Sequence, residues 1–301
     1  MVAETWGGAA DMFPSEQNFM LSGECLAGWA SAFRFPSGAA IVDVLRNHSG
    51  ARITTGQPRK TLDSLDLGTD TEGLAFAEQF RAAPLDQVLS EPFALAHFGL
   101  EAFDIPGGLL EGLRAQLVEP WAVALQSAGF TFHRCYPILF ITNTGGKCAD
   151  TSYHMDKSNV VACQVHGRKR WTWLREPSKW ADQETRLTHT AGQLQRPDEL
   201  TEDDTVVAEM GPGDCLFNKL LTPHWVEGVG DEVAVSLNIS HGGLALNGKL
   251  MRNEDELMQY IMRERGGAAQ DNRPEAVVGK FTPVGDTPAW GGLPGQHQAK
   301  F

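Results

Sequence analysis

Residues Thr151 to Leu174 have the sequence TSYHMDKSNVVACQVHGRKRWTWL and are the most informative segment of the chain. Near its start, His154 and Asp156 are separated by a single methionine. In an extended strand, residues i and i+2 project to the same side, so both side chains can reach one metal ion. Two imidazoles and one carboxylate on one side of an iron(II) ion leave coordination positions open. The pattern therefore predicts a metal site that needs one more histidine.

The second histidine is predicted to be His224, which lies in LLTPHWVEGV beside a strand end. A histidine-x-aspartate triplet arises often by chance, and alone it fits a surface or capping residue as well as a ligand. The order of the surrounding elements favours the metal. Two strands follow the triplet, and a glycine-aspartate turn, a strand, the histidine and a further strand come later.

A lysine on the second of these strands is the next candidate. In RKRWTWL, a period of two puts Lys169, Trp171 and Trp173 on one face and Arg168 and Arg170 on the other. An inward lysine is costly unless it is paired, and a bound dicarboxylate would supply the partner. The alternative is a surface lysine in a basic turn.

Most of the sequence around these residues is predicted to be strand. TFHRCYPILFITN (131–143) is β-branched and aromatic, and VVACQV and RKRWTWL flank His166 and Gly167 in what is predicted to be a tight hairpin. EVAVSLNIS (232–240) alternates apolar with small or polar residues, so its polar face could line a cavity. His241, just after it, is a further candidate for that cavity.

Together these features resemble the JmjC or cupin-like 2-oxoglutarate oxygenases, most closely the branch with the asparaginyl hydroxylase that acts on hypoxia-inducible factor. The resemblance covers about residues 131–243. It implies a mainly β, α+β fold: a double-stranded β-helix, or jelly-roll barrel, surrounded by helices. It also implies that His154, Asp156 and His224 are the catalytic residues and bind Fe(II).

The same resemblance implies where the cosubstrate binds. Lys169 would pair with the distal carboxylate of 2-oxoglutarate, Thr151 would assist, and Asn238 would face the cosubstrate. Two features depart from the family. Thr222-Pro223 stands where the family often has an aromatic pair before the distal histidine, and the tyrosine that often completes the pocket has no clear counterpart.

The implied activity is that of an Fe(II)- and 2-oxoglutarate-dependent dioxygenase, which uses O2 to hydroxylate or otherwise oxidise an unactivated C–H bond and releases succinate and CO2. We expect a small-molecule substrate, such as an amino acid or a biosynthetic intermediate, because the sequence shows no added recognition domain. The alternatives are a protein or peptide hydroxylase of the same fold and a metal-binding cupin without oxidative activity. Lys169, Thr151 and Asn238 argue against the cupin, which needs no dicarboxylate pocket.

Composition limits the partners. The 301 residues are 42% hydrophobic and 21% charged, which is ordinary for a globular protein, and the net charge of −13 argues against nucleic acid as a partner. No apolar run approaches the roughly 20 residues of a membrane span. The start, MVAETWGGAADMF, lacks the basic and apolar regions of a signal peptide. We therefore expect a cytoplasmic protein without a membrane partner.

The cysteines support the same expectation. The chain has five, an odd number, with no C-x-x-C pair, which is typical of reduced thiols in a cytoplasm. Cys163 and Cys215 lie in apolar runs and are expected to be buried packing residues. The remaining three are Cys25, Cys135 and Cys148.

We predict one integrated domain with three parts. Residues 1–130 form a helical and mixed region that packs on the barrel, residues 131–243 form the catalytic barrel, and residues 244–301 form a C-terminal helix and tail. Within the barrel, the segment 175–210 has nine acidic and four basic residues. It is either a solvated connector or a lid over the barrel mouth.

Two helices have strong patterns. GGLLEGLRAQLVEPWAVALQSAG (107–129) has one apolar stripe and is expected to kink at Pro120. NEDELMQYIMRERGG (253–267) is expected to begin with Asn253 as its N-cap. Its broad apolar face suggests a homodimer through the C-terminal helix; that face contains Leu257, Met258, Ile261 and Met262.

Overall fold

The computed structural model describes residues 1–29, 31–54, 71–132, 134–144, 150–188 and 195–264. The α-helices in these residues are α1 (Trp6–Met12), α2 (Gly38–Leu45), α3 (Thr71–Ala82), α4 (Leu85–Ser90), α5 (Glu119–Ser127), α6 (Pro177–Trp180), α7 (Gln183–Thr188) and α8 (Arg252–Glu264). Three 3-10 turns (Gly23–Leu26, Leu100–Ala102 and Glu202–Asp204) and one π-helical turn (Arg114–Val118) accompany them.

The strands in the same residues are β1 (Val2–Ala3), β2 (Phe19–Leu21), β3 (Ala51–Thr54), β4 (Phe93–His97), β5 (Phe130–Thr131), β6 (Arg134–Asn143), β7 (Asp150–His154), β8 (Asn159–His166), β9 (Arg168–Leu174), β10 (Thr205–Met210), β11 (Cys215–Asn218), β12 (His224–Val229), β13 (Ala234–Gly242), β14 (Ala245–Leu246) and β15 (Lys249–Leu250).

Two antiparallel sheets face each other and form the barrel. The larger has the strand order β1-β2-β11-β8-β13-β6-β4-β3, with β1 and β2 parallel, and the smaller has the order β10-β9-β12-β7. Trp171 of the smaller sheet packs with Ala162 and Leu216 of the larger, so the space between the sheets is a shared interior. The predicted fold class, a mainly β jelly-roll barrel with surrounding helices, is confirmed.

The central strand β13 separates this interior from an outer core. Its residues Val235, Leu237 and Ile239 are buried among the helices that cover the larger sheet. Its alternate residues, including Ser236 and Asn238, face the smaller sheet. The alternation in the sequence thus correctly predicts a polar face toward the cavity, because successive residues of a strand point to opposite sides.

The apolar stripe of residues 107–129 belongs to the outer core, but not as one kinked helix. Leu113, Leu117, Trp121 and Leu125 are all fully or almost fully buried. The chain makes a π-helical turn over 114–118, and α5 then begins at residue 119 with Pro120 in its first turn. A proline is tolerated there because the first turn needs no intrahelical donor, so Pro120 starts a helix instead of bending one.

The predicted hairpin around His166 and Gly167 is wrong. Strand β8 pairs with β11 and β13 of the larger sheet, whereas β9 pairs with β10 and β12 of the smaller sheet. Gly167 is the corner where the chain changes sheets, with a positive φ of 59°. A Cβ atom there would lie 2.8 Å from the carbonyl oxygen of Val233, so only glycine fits without strain.

The acidic segment 175–210 is only in part an insert. Helices α6 and α7 lie in it, but its last six residues form β10, which pairs with β9 along its whole length. Val206, Ala208 and Met210 alternate toward the barrel interior. Eight of the nine acidic residues precede β10, so the composition of the whole segment hides the strand at its end, and the predicted boundary at residue 210 is too late by one strand.

The cysteines also differ from expectation. Cys163 and Cys215 are both buried, as predicted, but they lie directly opposite each other on β8 and β11 and form a disulfide bond. Cys25 and Cys135 are free and buried, and Cys148 lies outside the described residues. The expectation of reduced thiols is therefore wrong for one pair, and a cytoplasmic location is now only a proposal because disulfides are rare there.

Helix α8 docks on the loop before β12. Asn253, predicted as its N-cap, is the second residue of the helix and instead donates a hydrogen bond to the carbonyl of Leu220. Leu257 packs against Leu220 and Leu221, so part of the apolar face is used within the chain. The side chains of the other three residues proposed for a dimer interface lie outside the described part, and the homodimer stays a prediction.

The N-terminal region is built into the same sheet as the barrel. Strands β2, β3 and β4 extend the larger sheet on both sides of β11, β8, β13 and β6. The boundaries at residues 130 and 243 stay predictions. No helix of the described residues is long and apolar enough to cross a membrane.

Candidate metal and cosubstrate site

Three predicted ligands meet at one end of the smaller sheet. His154 ends β7 and His224 begins β12, and the two residues are direct partners in the antiparallel ladder. The Nε2 atom of His154 lies 3.8 Å from Oδ1 of Asp156, and Nε2 of His224 lies 3.7 Å from Oδ2. One ligand atom from each residue lies within 4.8 Å of the others. The structure thus brings the triad together; its catalytic role stays a prediction.

The orientation of His224 suits a ligand. Its Nδ1 lies 2.9 Å from the carbonyl oxygen of Thr222, which can only accept a proton, so the Nε2 lone pair is directed toward Asp156. Burial, followed by the neighbouring His154, lowers the pKa of His224 to about 4, so the imidazole is neutral at physiological pH. The indole of Trp171 stacks on its ring, with centroids 5.4 Å apart.

A residue that the sequence did not indicate holds Asp156. The amide Nδ2 of Asn218 donates to Oδ2 of Asp156 at 2.8 Å and lies 3.5 Å from Nε2 of His224. Asn218 ends β11, a strand of the opposite sheet. No local pattern marks it, because its role depends on how the two sheets approach each other.

The triad lies at the open end of the barrel. The side chains of His154 and Asp156 are 22% and 31% exposed, whereas that of His224 is 1% exposed. Two of the three candidate ligands are therefore within reach of a molecule that approaches from solution.

Lys169 lies deeper in the interior. Its side chain is buried, and Nζ donates to the carbonyl oxygen of Phe140 across the barrel at 2.9 Å. Burial lowers the pKa of Lys169 to about 7. The outward residues Arg168 and Arg170 instead make ion pairs with exposed Glu209. The predicted inward direction of Lys169 is confirmed, and the surface alternative is wrong.

Other polar groups surround the deep end. Oδ1 of Asn238, Oγ1 of Thr142 and Nε1 of Trp171 are buried and have no hydrogen-bond partner among the described residues. Gly228, the ladder partner of Lys169, faces Thr142, and a Cβ atom on this glycine would lie 3.3 Å from the threonine hydroxyl. The sheets therefore approach closely here and close the interior behind Lys169.

Thr151 reaches the interior side through a β-bulge. His154 pairs with His224 and Thr151 with Val226, so the two residues between them on β7 stand opposite a single residue of β12. The bulge puts Thr151 on the same side as His154 despite their odd spacing. Its hydroxyl is hydrogen bonded to both the N–H and the carbonyl of Val226. The predicted contact with 2-oxoglutarate stays a prediction.

Two further side chains concern the pocket. Tyr136 of β6 is opposite Ser240 on the polar face of β13. It is therefore a candidate for the tyrosine that often completes the pocket in the JmjC or cupin-like family. His241 is not in the pocket. It lies on the outer face, where Nε1 of Trp121 donates to its Nε2 at 2.8 Å.

The donor set fits the predicted metal and cosubstrate. Two imidazoles and a carboxylate at an open site are typical ligands of non-haem iron(II). The buried ammonium of Lys169 has no carboxylate partner within the described ranges, and Thr142 and Asn238 of the larger sheet also have buried polar atoms without a partner there. These are the groups that a chelating keto acid with a second carboxylate requires.

A family model and several solved structures are similar to this chain. Residues 127–245 match the family model of the JmjC domain. This part of the chain is therefore similar to the JmjC domain, in agreement with the predicted resemblance to the JmjC or cupin-like oxygenases. The closer likeness to the asparaginyl hydroxylase branch stays a prediction. No curated protein matches the chain.

Solved structures of YcfD from Escherichia coli are similar to the chain. An X-ray structure of YcfD is 14% identical with a TM-score of 0.45, over 89% of this chain and 60% of that one. A YcfD structure described as a ribosomal oxygenase in complex with cobalt and 2-oxoglutarate is 13% identical with a TM-score of 0.38, over 76% and 49%. The chain thus spans less than two thirds of the length of these YcfD chains.

Proposed function

We propose that the protein is an Fe(II)- and 2-oxoglutarate-dependent oxygenase. The observation that supports this most is that one barrel contains both the cluster of His154, Asp156 and His224 and a buried Lys169 that has no carboxylate partner among the described residues. A metal-binding cupin without oxidative activity would need the cluster but gain nothing from burying the lysine.

Each residue of the site would have a distinct role. His154, Asp156 and His224 would hold the metal, which supplies dioxygen activation when it is bound with 2-oxoglutarate. Lys169 would pair with the distal carboxylate, and Asn238 would donate or accept at the bound cosubstrate. Trp171 packs on His224 and helps to exclude water from the buried side of the site.

For the substrate, we propose a protein or peptide side chain ahead of a free small molecule. His154 and Asp156 remain partly exposed, which favours a substrate that covers the metal with its own bulk. The net charge of −13 favours encounter with a basic or neutral partner. The YcfD structures, which share the fold, are described as those of a ribosomal oxygenase.

The test is formation of succinate from 2-oxoglutarate, measured with Fe(II) and ascorbate over separate panels of amino acids, metabolites, basic peptides and ribosomal proteins. We expect a peptide or protein to stimulate turnover and to gain one oxygen atom by mass spectrometry. The Asp156→Ala variant is the control for turnover that does not depend on the site.

The outcomes separate the possibilities. Stimulation only by a small molecule would overturn the choice of substrate but not the activity. Absence of both 2-oxoglutarate binding and succinate formation in the metal-loaded protein would overturn the oxygenase and leave the metal-binding cupin. A cytoplasmic location is proposed with the same activity, and fractionation of the native cells would test it.

A further inference from the structure

The segment before β2 runs along the loop that leads into His224. The carbonyl oxygen of Glu16 accepts a hydrogen bond from the Thr222 hydroxyl at 3.0 Å. The ammonium of Lys219 donates to the carbonyl oxygens of Met12 and Ser15. The N-terminal segment and the loop at 218–224 are therefore tied together, although they are about 200 residues apart in sequence.

Within this contact, two asparagines form a relay that ends on Asp156. The backbone N–H of Lys219 donates to Oδ1 of Asn18 at 2.8 Å. Nδ2 of Asn18 donates to Oδ1 of Asn218 at 2.7 Å, and Nδ2 of Asn218 donates to Oδ2 of Asp156 at 2.8 Å. Both asparagines are buried.

The backbone N–H of Lys219 determines which atoms donate and which accept along this relay. A backbone N–H can only donate, so it must face the oxygen of Asn18 and leave the Asn18 NH2 group to face Asn218. That donor in turn requires the oxygen of Asn218, which leaves the Asn218 NH2 group for the carboxylate. If Asn18 were absent, the Asn218 amide could turn over and present its oxygen to Asp156.

We propose that Asn18 and Asn218 are positioning residues of the metal site, which hold the Asp156 carboxylate in the orientation that binds the metal. This inference rests on the proposed function only in so far as the site binds a metal. Groups that hold a metal ligand in place typically change metal affinity by about 10–100-fold when they are removed. The N-terminal segment therefore contributes to a site whose ligands all lie after residue 150.

The experiment measures Co(II) binding to the full chain by calorimetry without oxygen, because Co(II) affinity can be read without turnover. We expect Asn218→Ala to weaken binding by about 10–100-fold and Asn18→Ala by about tenfold. The visible Co(II) spectrum should also change, because the carboxylate is no longer held in one orientation. Neither variant removes a ligand.

Gln17→Ala is the matched control. Gln17 is the sequence neighbour of Asn18, but its side chain reaches Trp173 and the carbonyl oxygen of Leu174 instead of the Asp156 relay. We expect this variant to lower the melting temperature of the metal-free protein while Co(II) affinity stays at the wild-type value. If Asn18→Ala behaves in the same way as Gln17→Ala, the relay has only a structural role and the proposal is overturned.

Asn18→Asp covers the case in which Asn18→Ala does not fold. Aspartate has nearly the same shape and keeps the acceptor for Lys219 N–H, but it loses the donor to Asn218. An added negative charge alone would strengthen Co(II) binding, so weaker binding supports the relay, and equal or tighter binding contradicts it. Failure of the wild-type protein to bind Co(II) is a separate result, which overturns the metal site itself.

Discussion

The two ends of the barrel interior hold their charged groups in different ways. At the open end, Asp156 is partly exposed, accepts a hydrogen bond from Asn218 and lies between two imidazoles. At the closed end, the ammonium of Lys169 is buried, and its one acceptor among the described residues is the backbone carbonyl oxygen of Phe140. The carboxylate at the open end, in contrast, is reached both by solvent and by an amide donor.

At the closed end, a charged group without a partner costs free energy. Burial disfavours the charged lysine, which is why the pKa of Lys169 falls to about 7. An anion that enters would restore the charge and gain a hydrogen bond in a site with little water. The comparison indicates that the open end is suited to a metal ion and the closed end to a carboxylate. A substitution at one end should therefore weaken binding there and leave binding at the other end nearly unchanged.

The largest effect is expected at the open end. His224→Ala should abolish metal-dependent turnover, because two remaining ligands cannot hold the metal in the same geometry. The barrel should stay folded, since the outer core does not include this residue. Succinate formation and the circular dichroism spectrum check the two statements. Full activity in this variant would show that the triad is assigned incorrectly.

The next effect is at the closed end. Lys169→Ala should weaken 2-oxoglutarate binding by roughly thirtyfold or more, because loss of one partner of a desolvated charge pair costs about 2–5 kcal/mol. Metal binding should stay nearly unchanged. Anaerobic titration of the Fe(II) protein, followed by the metal-to-ligand charge-transfer band, measures both. Lys169→Arg should not rescue fully, because a planar fork does not reproduce a compact charge.

A pH dependence separates the two ends further. The Lys169 pKa is depressed from 10.5 to about 7, so above pH 7 the free site has lost the proton that a bound dicarboxylate needs. Binding must then take up a proton, and 2-oxoglutarate affinity should fall by up to about tenfold per pH unit above pH 7. In Lys169→Arg, which stays charged, the weaker binding should not show this slope. An equal slope in both proteins would assign the dependence to another group.

The lowered pKa of Lys169 also determines how the folding stability of the ligand-free protein changes with pH. Between pH 7 and 10.5 the unfolded chain keeps the Lys169 proton and the folded chain does not. The contribution of Lys169 to the stability of the ligand-free protein therefore rises with pH across this window and is lost as pH falls through about 7.

The smallest effect is expected on the outside of the same strand. Arg170 and Glu209 form an ion pair in which both side chains are 43% exposed. Exposed pairs contribute little because water and salt screen them, so Arg170→Ala should change neither stability nor 2-oxoglutarate affinity by much. Thermal melts and the same titration test this. Weaker binding in Arg170→Ala, together with normal binding in Lys169→Ala, would mean that the strand faces the other way.

The sequence was informative where the pattern is local. Side chains alternate along a single strand, and this period alone predicts three features: the shared side of His154 and Asp156, the inward direction of Lys169 and the alternation along β13. The sequence was less informative where two distant strands must meet. The bulge at Thr151, the change of sheets at Gly167 and the Cys163–Cys215 bond depend on pairing between segments, which no local period specifies.

Asn218 and Asn18 are the clearest case of this limit. Each is an ordinary polar residue in its own segment. Their importance arises only because these two segments of the chain meet beside Asp156. Strand β10 is a second case, because the acidic residues that give the segment 175–210 its composition lie almost entirely before the strand. The composition of a segment does not show a short strand at its end, whose place depends on pairing with β9.

The contact between Asn18 and Asn218 also constrains the order of folding. The two residues are 200 positions apart, and a ribosome adds about 5–20 residues per second. The N-terminal segment is therefore made about 10–40 s before its partner exists, and contacts of such high sequence separation form slowly. The metal-binding geometry is consequently among the last features that synthesis of the barrel can complete, and nascent chains that stop before β12 cannot form it.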